Sequence, residues 1–502
     1  MRVVPHSLGA IPPLAPRAAH WDDQLLPAII DAPGAAEHLA RLRAPGSLVV
    51  TTGQQPGLFT GPLYTIHKAL AAAALARRLE HEWRRPVVAL LWVAGDDHDW
   101  AEASNAAWLN AEGRLVHWSL PARAATAPQR SMCREPMPPE VEAGLRLLES
   151  SLPEGAARDQ TMAWLRRHYR TGQTLHSAAA GALAEFLAPS NILVFDPTHA
   201  AVKRAQAPLL SAALAQAAEL DHVLSALPPL PGGVSVGGGA TLVFLETTAG
   251  RERLMLDGGR FHTRRSGESF SRSELEGLLL QSPERFSPNA LLRPVVEAAL
   301  LPTVGYVGGP GEMRYLNQQA SALYRPRGVW RQPPVPRWSG TVVEPWVDRL
   351  LGRLGISLDD VLADDDGALG RTILRRDLPP DVRESLVTLR TEVDRQSTTL
   401  RAAGRMIDPV LDRAVEGRER KLAHVLDDLE RLFERHLRRR DDIAWAQYQR
   451  LRVGLRPQNA PQERVFTAAS FRARHGDAWL AALRASTAAW ADSPCADPSA
   501  TA

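Results

Sequence analysis

Asp96-Asp97-His98-Asp99 stands directly behind Gly95 at the end of the apolar run PVVALLWVAG. Three carboxylates and an imidazole at the end of a buried strand are costly unless they pair, bind a cation or move protons. If the segment stays extended, Asp97 and Asp99 face one way and Asp96 and His98 the other. Acid and base work by Asp97 and His98 is one chemistry this quartet allows, and a divalent-metal site is another.

A second candidate is VVTTGQQPGLFTGPLYTIHKAL, residues 49 to 70. Thr60 is suited to cap the coming helix and Pro62 to enter its first turn. Gly53, Gly57 and Gly61 would admit a ligand close to the backbone beside Gln54 and Gln55, with N–H groups from Leu63 onward facing an anion. Tyr64, His67 and Lys68, three and four residues apart, are expected on adjoining parts of one helix face. A phosphate or carboxylate is the natural guest.

The stretch LPTVGYVGGPGEMRYLNQ repeats the pattern with Tyr306, Gly308, Gly309, Gly311 and Glu312. Glu312, near a helix start, can act as a base or bind an amine. Upstream, SPNALLRPVVE offers Asn289 and Arg293, and arginine is a good bidentate partner for an oxyanion. Asp196 to His199, FDPTH, reads as an Asx-Pro turn.

These groups need a scaffold that brings strand ends together. Ser47 to Thr52, Pro86 to Ala94, Asn191 to Phe195 and Pro302 to Val307 read as short buried strands, the first three separated by helical stretches. That is the pattern of βαβ units, an α/β fold with a Rossmann-like parallel-sheet core, whose ligands bind outside the carboxyl ends of the strands. Residues of about 105–175 and 225–290 fit the core less well and read as insertions, the second as antiparallel strands joined by glycine turns. From about 380 the chain is helical in propensity, with a break near Gly404 to Pro409. The three-four spacing of Leu422, Val425, Leu429, Leu432 and His436 suggests a two-helix antiparallel coiled-coil arm.

Composition narrows the possibilities. With 502 residues, 45% hydrophobic and 23% charged, the chain is globular and too long for one ordinary core. A net charge of +3 is too small for a nucleic-acid footprint, and no apolar run spans a bilayer. Two cysteines, Cys133 and Cys495, make no disulfide framework or metal-ligand spacing, which fits a cytoplasmic protein. The basic residues are nearly all arginine, Lys68, Lys203 and Lys421 being the only lysines.

TTGQQPGLFTGPLYTIHKA, WVAGDDHDWAE, SPNALLRPVVEAALLPTVGYVGGPGE and PQNAPQERV together resemble the motifs of the bacillithiol biosynthesis cysteine-adding enzymes, the BshC family. The resemblance implies a class I nucleotidyltransferase-like core over 1–375 carrying the two insertions, a coiled-coil dimerisation arm over 376–450, and a C-terminal segment over 451–502 that returns to the core, with a disordered tail from about 492. The implied reaction is the last step of bacillithiol synthesis, joining L-cysteine to the amine of glucosaminyl-malate in a homodimer. ATP is the expected carboxyl activator, and Mg is possible. Of the His-x-Gly-His signature of adenylate-forming relatives, only His67 is present. On this reading Asp97, His98, His67 and Lys68 are catalytic. Gly53, Gln54, Gln55, Gly57, Thr60, Gly61, Tyr64, Gly95, Asp96, Asp99, Asn289, Arg293, Tyr306, Gly308, Gly309, Gly311 and Glu312 contact substrate or nucleotide. Two rivals are a metal-dependent phosphoesterase or nucleotide hydrolase using Asp96, Asp97, His98 and Asp99, and a nucleotide-sensing coiled-coil scaffold.

Overall fold

The computed structural model describes residues 1–494 except 366, 377–379 and 441. Cys495 and most of the expected tail lie outside the described residues. The chain forms two compact units, Met1–Val342 with the chain from Gln462 onward, and Val343–Pro461.

The first unit is built on five parallel strands: β1 (Leu48–Gln54), β2 (Val87–Val93), β3 (Ile192–Phe195), β4 (Thr303–Gly308) and β5 (Pro334–Pro336), in the order β5-β4-β1-β2-β3. The first four are the strands expected from sequence. Every residue of β2, β3 and β4 is buried. A parallel sheet covered on both faces requires continuous apolar runs, and their β-branched and leucine side chains each contribute about 1.5–3 kcal/mol by burial. The helix α1 (Tyr64–Trp83) links β1 to β2, and α2 (Ala200–Ala215) follows β3. Before and after β4 stand α3 (Arg293–Leu300) and α4 (Pro310–Gln318). From β1 the order runs outward through β2 and β3 on one side and through β4 on the other, so strand order reverses between β1 and β4.

Between β3 and β4 the chain builds a second, antiparallel sheet from Ala240–Thr247, Gly250–Asp257, Arg260–Thr263, Ser269–Phe270 and Phe286–Pro288. Between β2 and β3 lie the short helix Trp100–Ala103, a hairpin, Asn105–Leu109 with Leu115–Ser119, and three longer α-helices.

The second unit is helical. Its longest elements, α5 (Pro380–Ile407) and α6 (Pro409–Arg440), are broken at Asp408, where proline opens the second helix. Arg401 and Arg405 both reach Asp412 across the turn, at 2.8 and 2.7 Å, and Arg390 reaches Asp427 at 2.6 Å. The stripe expected to form the helix seam faces outward in part: Leu422, Val425 and Leu432 are 48, 60 and 44% exposed. The His436 side chain lies outside the described residues. Among the described residues, no helix is long and apolar enough to cross a membrane.

Candidate functional site

At the point where strand order reverses, the ends of β1, β2 and β4 and the antiparallel sheet enclose a cleft of about 540 Å³. Gly53, Gln54, Gln55, Tyr64, Lys68, Asp96 and Asp97 line it from β1, α1 and β2. Asn289, Arg293, Tyr306, Gly309, Gly311 and Glu312 line it from the segments around β4. Gly57, Thr60, Gly61, His67, Gly95, His98, Asp99 and Gly308 are not among its lining residues.

The wall on the core sheet is one continuous polar network. Lys68 donates to the Gly53 carbonyl at 2.9 Å and the Gln54 amide oxygen at 3.0 Å, and is ion-paired with Glu312. Glu312 accepts from the Tyr306 hydroxyl at 2.7 Å and the Gly309 N–H at 2.9 Å. Arg293 donates to the Tyr306 oxygen at 3.0 Å and to Glu297 at 2.8 Å, and Glu297 also accepts from Thr51. Burial lowers the Lys68 pKa against the pull of Glu312. Burial opposes the Glu312 charge too, but Lys68 and the two hydrogen bonds hold it below the ordinary carboxylate value. Lys68, Arg293 and Glu312 are therefore already engaged by protein groups. Gln54 extends a long contact of 3.4 Å to the Tyr64 hydroxyl, whose pKa burial and Glu102 push up to about 12.

The loop after β1 departs from expectation in three ways. Thr60 does not cap α1: its φ is +78°, its N–H donates to the Tyr169 hydroxyl, and Leu63 stands at the cap position. The Leu63 N–H is taken by the Phe466 carbonyl at 2.8 Å, so it does not face an anion. Gly57 and Gly61 serve the loop itself, because a Cβ at Gly57 would lie 2.6 Å from the Gly61 Cα. The Tyr169 hydroxyl donates to the Gly57 carbonyl at 2.8 Å and pins the same loop.

His67 turns away from Tyr64 and Lys68. At about 100° per residue, His67 and Lys68 fall on either side of Tyr64, and only one flank can face the cleft. The His67 ring packs edge-on to Trp338 and its Nδ1 lies 2.8 Å from Glu463. Glu463 also accepts from Ser339 at 2.9 Å and from both terminal nitrogens, Nη1 and Nη2, of the Arg337 guanidinium. Burial lowers the His67 pKa despite Glu463. Burial alone would raise the Glu463 carboxyl, but the His67 and Arg337 bonds bring it well below the ordinary value.

The acidic quartet is a turn, not an extended segment, so the expected two-and-two alternation does not form. Asp97 Oδ1 accepts from the His98 and Asp99 N–H groups at 2.6 and 3.1 Å, the local bonding by which aspartate competes with strand pairing. Asp99 caps the short helix Trp100–Ala103 by accepting from the Glu102 N–H at 3.0 Å. Asp96 is ion-paired with Lys203 at 2.6 Å. Asp97 Oδ2 remains as the uncommitted oxygen on the cleft. Among the described residues no three histidines, cysteines or acidic residues are placed to share a metal ion. Gly95 has a steric role, since a Cβ there would lie 2.4 Å from the His176 ring.

His98 Nδ1 lies 3.2 Å from Arg251 Nη1. Guanidinium only donates, so Nδ1 is the acceptor and the neutral ring carries its proton on Nε2. Burial, then Arg251, lowers its pKa to about 4. Asp97 is thereby the better placed proton acceptor and His98 a neutral donor. At the third strand end, Asp196 accepts from Thr198 as an Asx turn and from His176 at 2.8 Å. Cys133 is a half-buried thiol whose pKa is pushed to about 12, chiefly by desolvation.

Sequence reasoning missed Lys203, Arg251, Arg253, Arg337 and Glu463. Lys203 carried a signal as one of three lysines in an arginine-rich chain, and Glu463 lies inside PQNAPQERV. The three arginines carried none.

A parallel sheet with its cleft at the reversal of strand order, an antiparallel insert beside it and a long helical hairpin define a Rossmann-like α/β protein with an appended helical unit. The chain belongs to the bacillithiol biosynthesis BshC family: residues 28–328 match that family's N-terminal Rossmann-like domain and 340–489 its C-terminal coiled-coil domain. It is 32% identical over 466 residues to a protein of Symbiobacterium thermophilum, covering 88% of this chain and 82% of the relative. A Heliobacterium modesticaldum protein is 31% identical over 486 residues, 92% of this chain and 85% of the relative. Both bear the name "Putative cysteine ligase BshC".

Proposed function

We propose that this protein is a cytoplasmic ligase that joins L-cysteine to the amine of glucosaminyl-malate in the last step of bacillithiol synthesis. The observation that carries the reading is a cleft-lining carboxylate, Asp97, with one oxygen uncommitted, in a chain of the BshC family. The acceptor arrives as an ammonium and must lose a proton before its nitrogen can attack. Asp97 takes that proton, its other oxygen being held by the His98 and Asp99 N–H groups.

Amide formation needs an activated carboxyl, so ATP serves as co-substrate and Mg travels with it. The cleft cation Arg464 fits a polyanion, and Gln54, Gln55, Gly309 and Gly311 supply polar and backbone contacts. Arg293 and Glu312 act through the network that positions Tyr306 and Lys68. The outward stripe Leu422, Val425 and Leu432 supports association of two chains through the helical arm.

The test is thiol profiling by mass spectrometry in a deletion strain, paired with a purified assay containing cysteine, ATP and glucosaminyl-malate. Loss of bacillithiol with accumulation of glucosaminyl-malate is expected, as is at least a hundredfold slower ligation by Asp97→Asn. A deletion strain with an unchanged thiol pool would overturn the reading.

A further inference from the structure

The antiparallel sheet presents cationic groups to the cleft that the proposed reaction has not yet used. Arg251 and Arg253 both line it, and both approach the Phe244 ring, with guanidinium carbons 4.0 and 5.9 Å from its centroid. Arg251 donates to the Ser287 hydroxyl and the Pro288 carbonyl, each at 2.9 Å, and to His98. Arg253 donates to the Thr241 and Ser235 carbonyls, each at 2.9 Å. Neither arginine has a carboxylate at ion-pair distance among the described residues. Arg253 Nη2 is buried with no hydrogen-bond partner.

Asn289 supplies a second uncommitted donor. Its Oδ1 accepts from the Leu291 and Leu292 N–H groups at 3.1 and 2.9 Å, which fixes the orientation of the amide. Its Nδ2 is therefore a donor, and it too is buried without a partner in a side chain only 3% exposed. Arg253 and Asn289 line the same cleft from either side of the Ala240–Thr247 strand, Arg253 Nε bonding the Thr241 carbonyl and the Asn289 N–H that of Leu242. A buried donor left unpaired costs about 1–3 kcal/mol, so two of them beside two guanidinium groups without an ion pair call for an oxyanion.

We propose that Arg253 and Asn289, backed by Arg251, seat the carboxylates of the malyl end of the acceptor, leaving its amine toward Asp97. The assignment rests on the ligase reading for the identity of the acceptor, but the seat itself is a carboxylate site that can be tested without turnover. The same oxyanion chemistry could be met by nucleotide phosphate, so the two sources are separated experimentally.

Calorimetric titration of the full-length protein with L-malate and, separately, with inorganic phosphate provides the test. Malate is expected to bind, and Asn289→Asp to weaken it about tenfold or more, because the substitution keeps the acceptor for Leu291 and Leu292 but turns the free donor into a negative oxygen. Arg253→Lys, which keeps the charge and loses the fork, should weaken malate less than Arg253→Gln. In the ligation assay the same variants should raise KM for glucosaminyl-malate while leaving KM for ATP unchanged. No malate binding, malate binding indifferent to both positions, or displacement by phosphate with a matched rise in KM for ATP would each overturn the seat. Failure of ligation with malate binding and its variant dependence intact would count against the ligase reading alone.

Discussion

On the core-sheet wall of the cleft, Lys68, Arg293, Glu297 and Glu312 are each held by another charged side chain, whereas on the insert-sheet wall Arg251 and Arg253 meet carbonyls, a hydroxyl and a ring nitrogen. The first wall balances its charge internally and resembles a scaffold that fixes strand ends. The second carries positive charge and two unpartnered donors, the state of a surface organised in advance for a ligand. Both were open to the same description from sequence, as polar residues at the ends of apolar runs. What separates them is whether a partner lies within reach.

The strongest way to break this contrast is Lys68→Met. Removing one member of a buried pair leaves Glu312 uncompensated, and unfolding in urea should show a loss of about 3–5 kcal/mol. A variant with unchanged stability and a raised KM would move Lys68 to the ligand-binding wall. Arg253→Gln should cost about 1 kcal/mol or less by the same measurement, since it leaves no carboxylate behind. The position of Asn289 sharpens the point: Asn289→Ala should lose about 1 kcal/mol with its bonds from the Leu291 and Leu292 N–H groups, while Asn289→Asp should stay near the original stability.

Protonation distinguishes the walls further. Burial places His67 below its ordinary 6.5, and the bonds from His67 and Arg337 place Glu463 below its ordinary 4.5, so in both cases the unfolded chain takes up the proton first. The contribution of this pair to stability should be level above about pH 6.5, fall as pH drops through that value, and fall again below 4.5; a melting temperature constant down to pH 4 would contradict the network. His98, on the insert side, should titrate near 4 by NMR. Arg251→Gln should raise that midpoint but leave it below 6.5, because burial is the larger cause.

Much of the fold was legible because it is written locally. Continuous β-branched and leucine runs, glycine and proline clusters at their carboxyl ends, and the break at Asp408 mark four parallel strands, a cleft at their ends and a long helix pair. So were Asp97, Tyr64, Lys68, Asn289 and Glu312 as cleft residues. Their commitments were not legible, because a side chain's partner is set by chain segments far away. Glu463 meets His67 across 396 positions and Lys203 meets Asp96 across 107. Sequence by itself determined which strands form and where polar groups gather, since backbone propensity and hydrophobic period act over a few residues. Only the tertiary structure decided that His67 is sealed against Glu463, that Lys68 belongs to a closed network, and that Arg253 and Asn289 keep donors to spare. Hydrogen bonds and ion pairs act over a few ångströms, and only folding brings residues so far apart in the chain within that range.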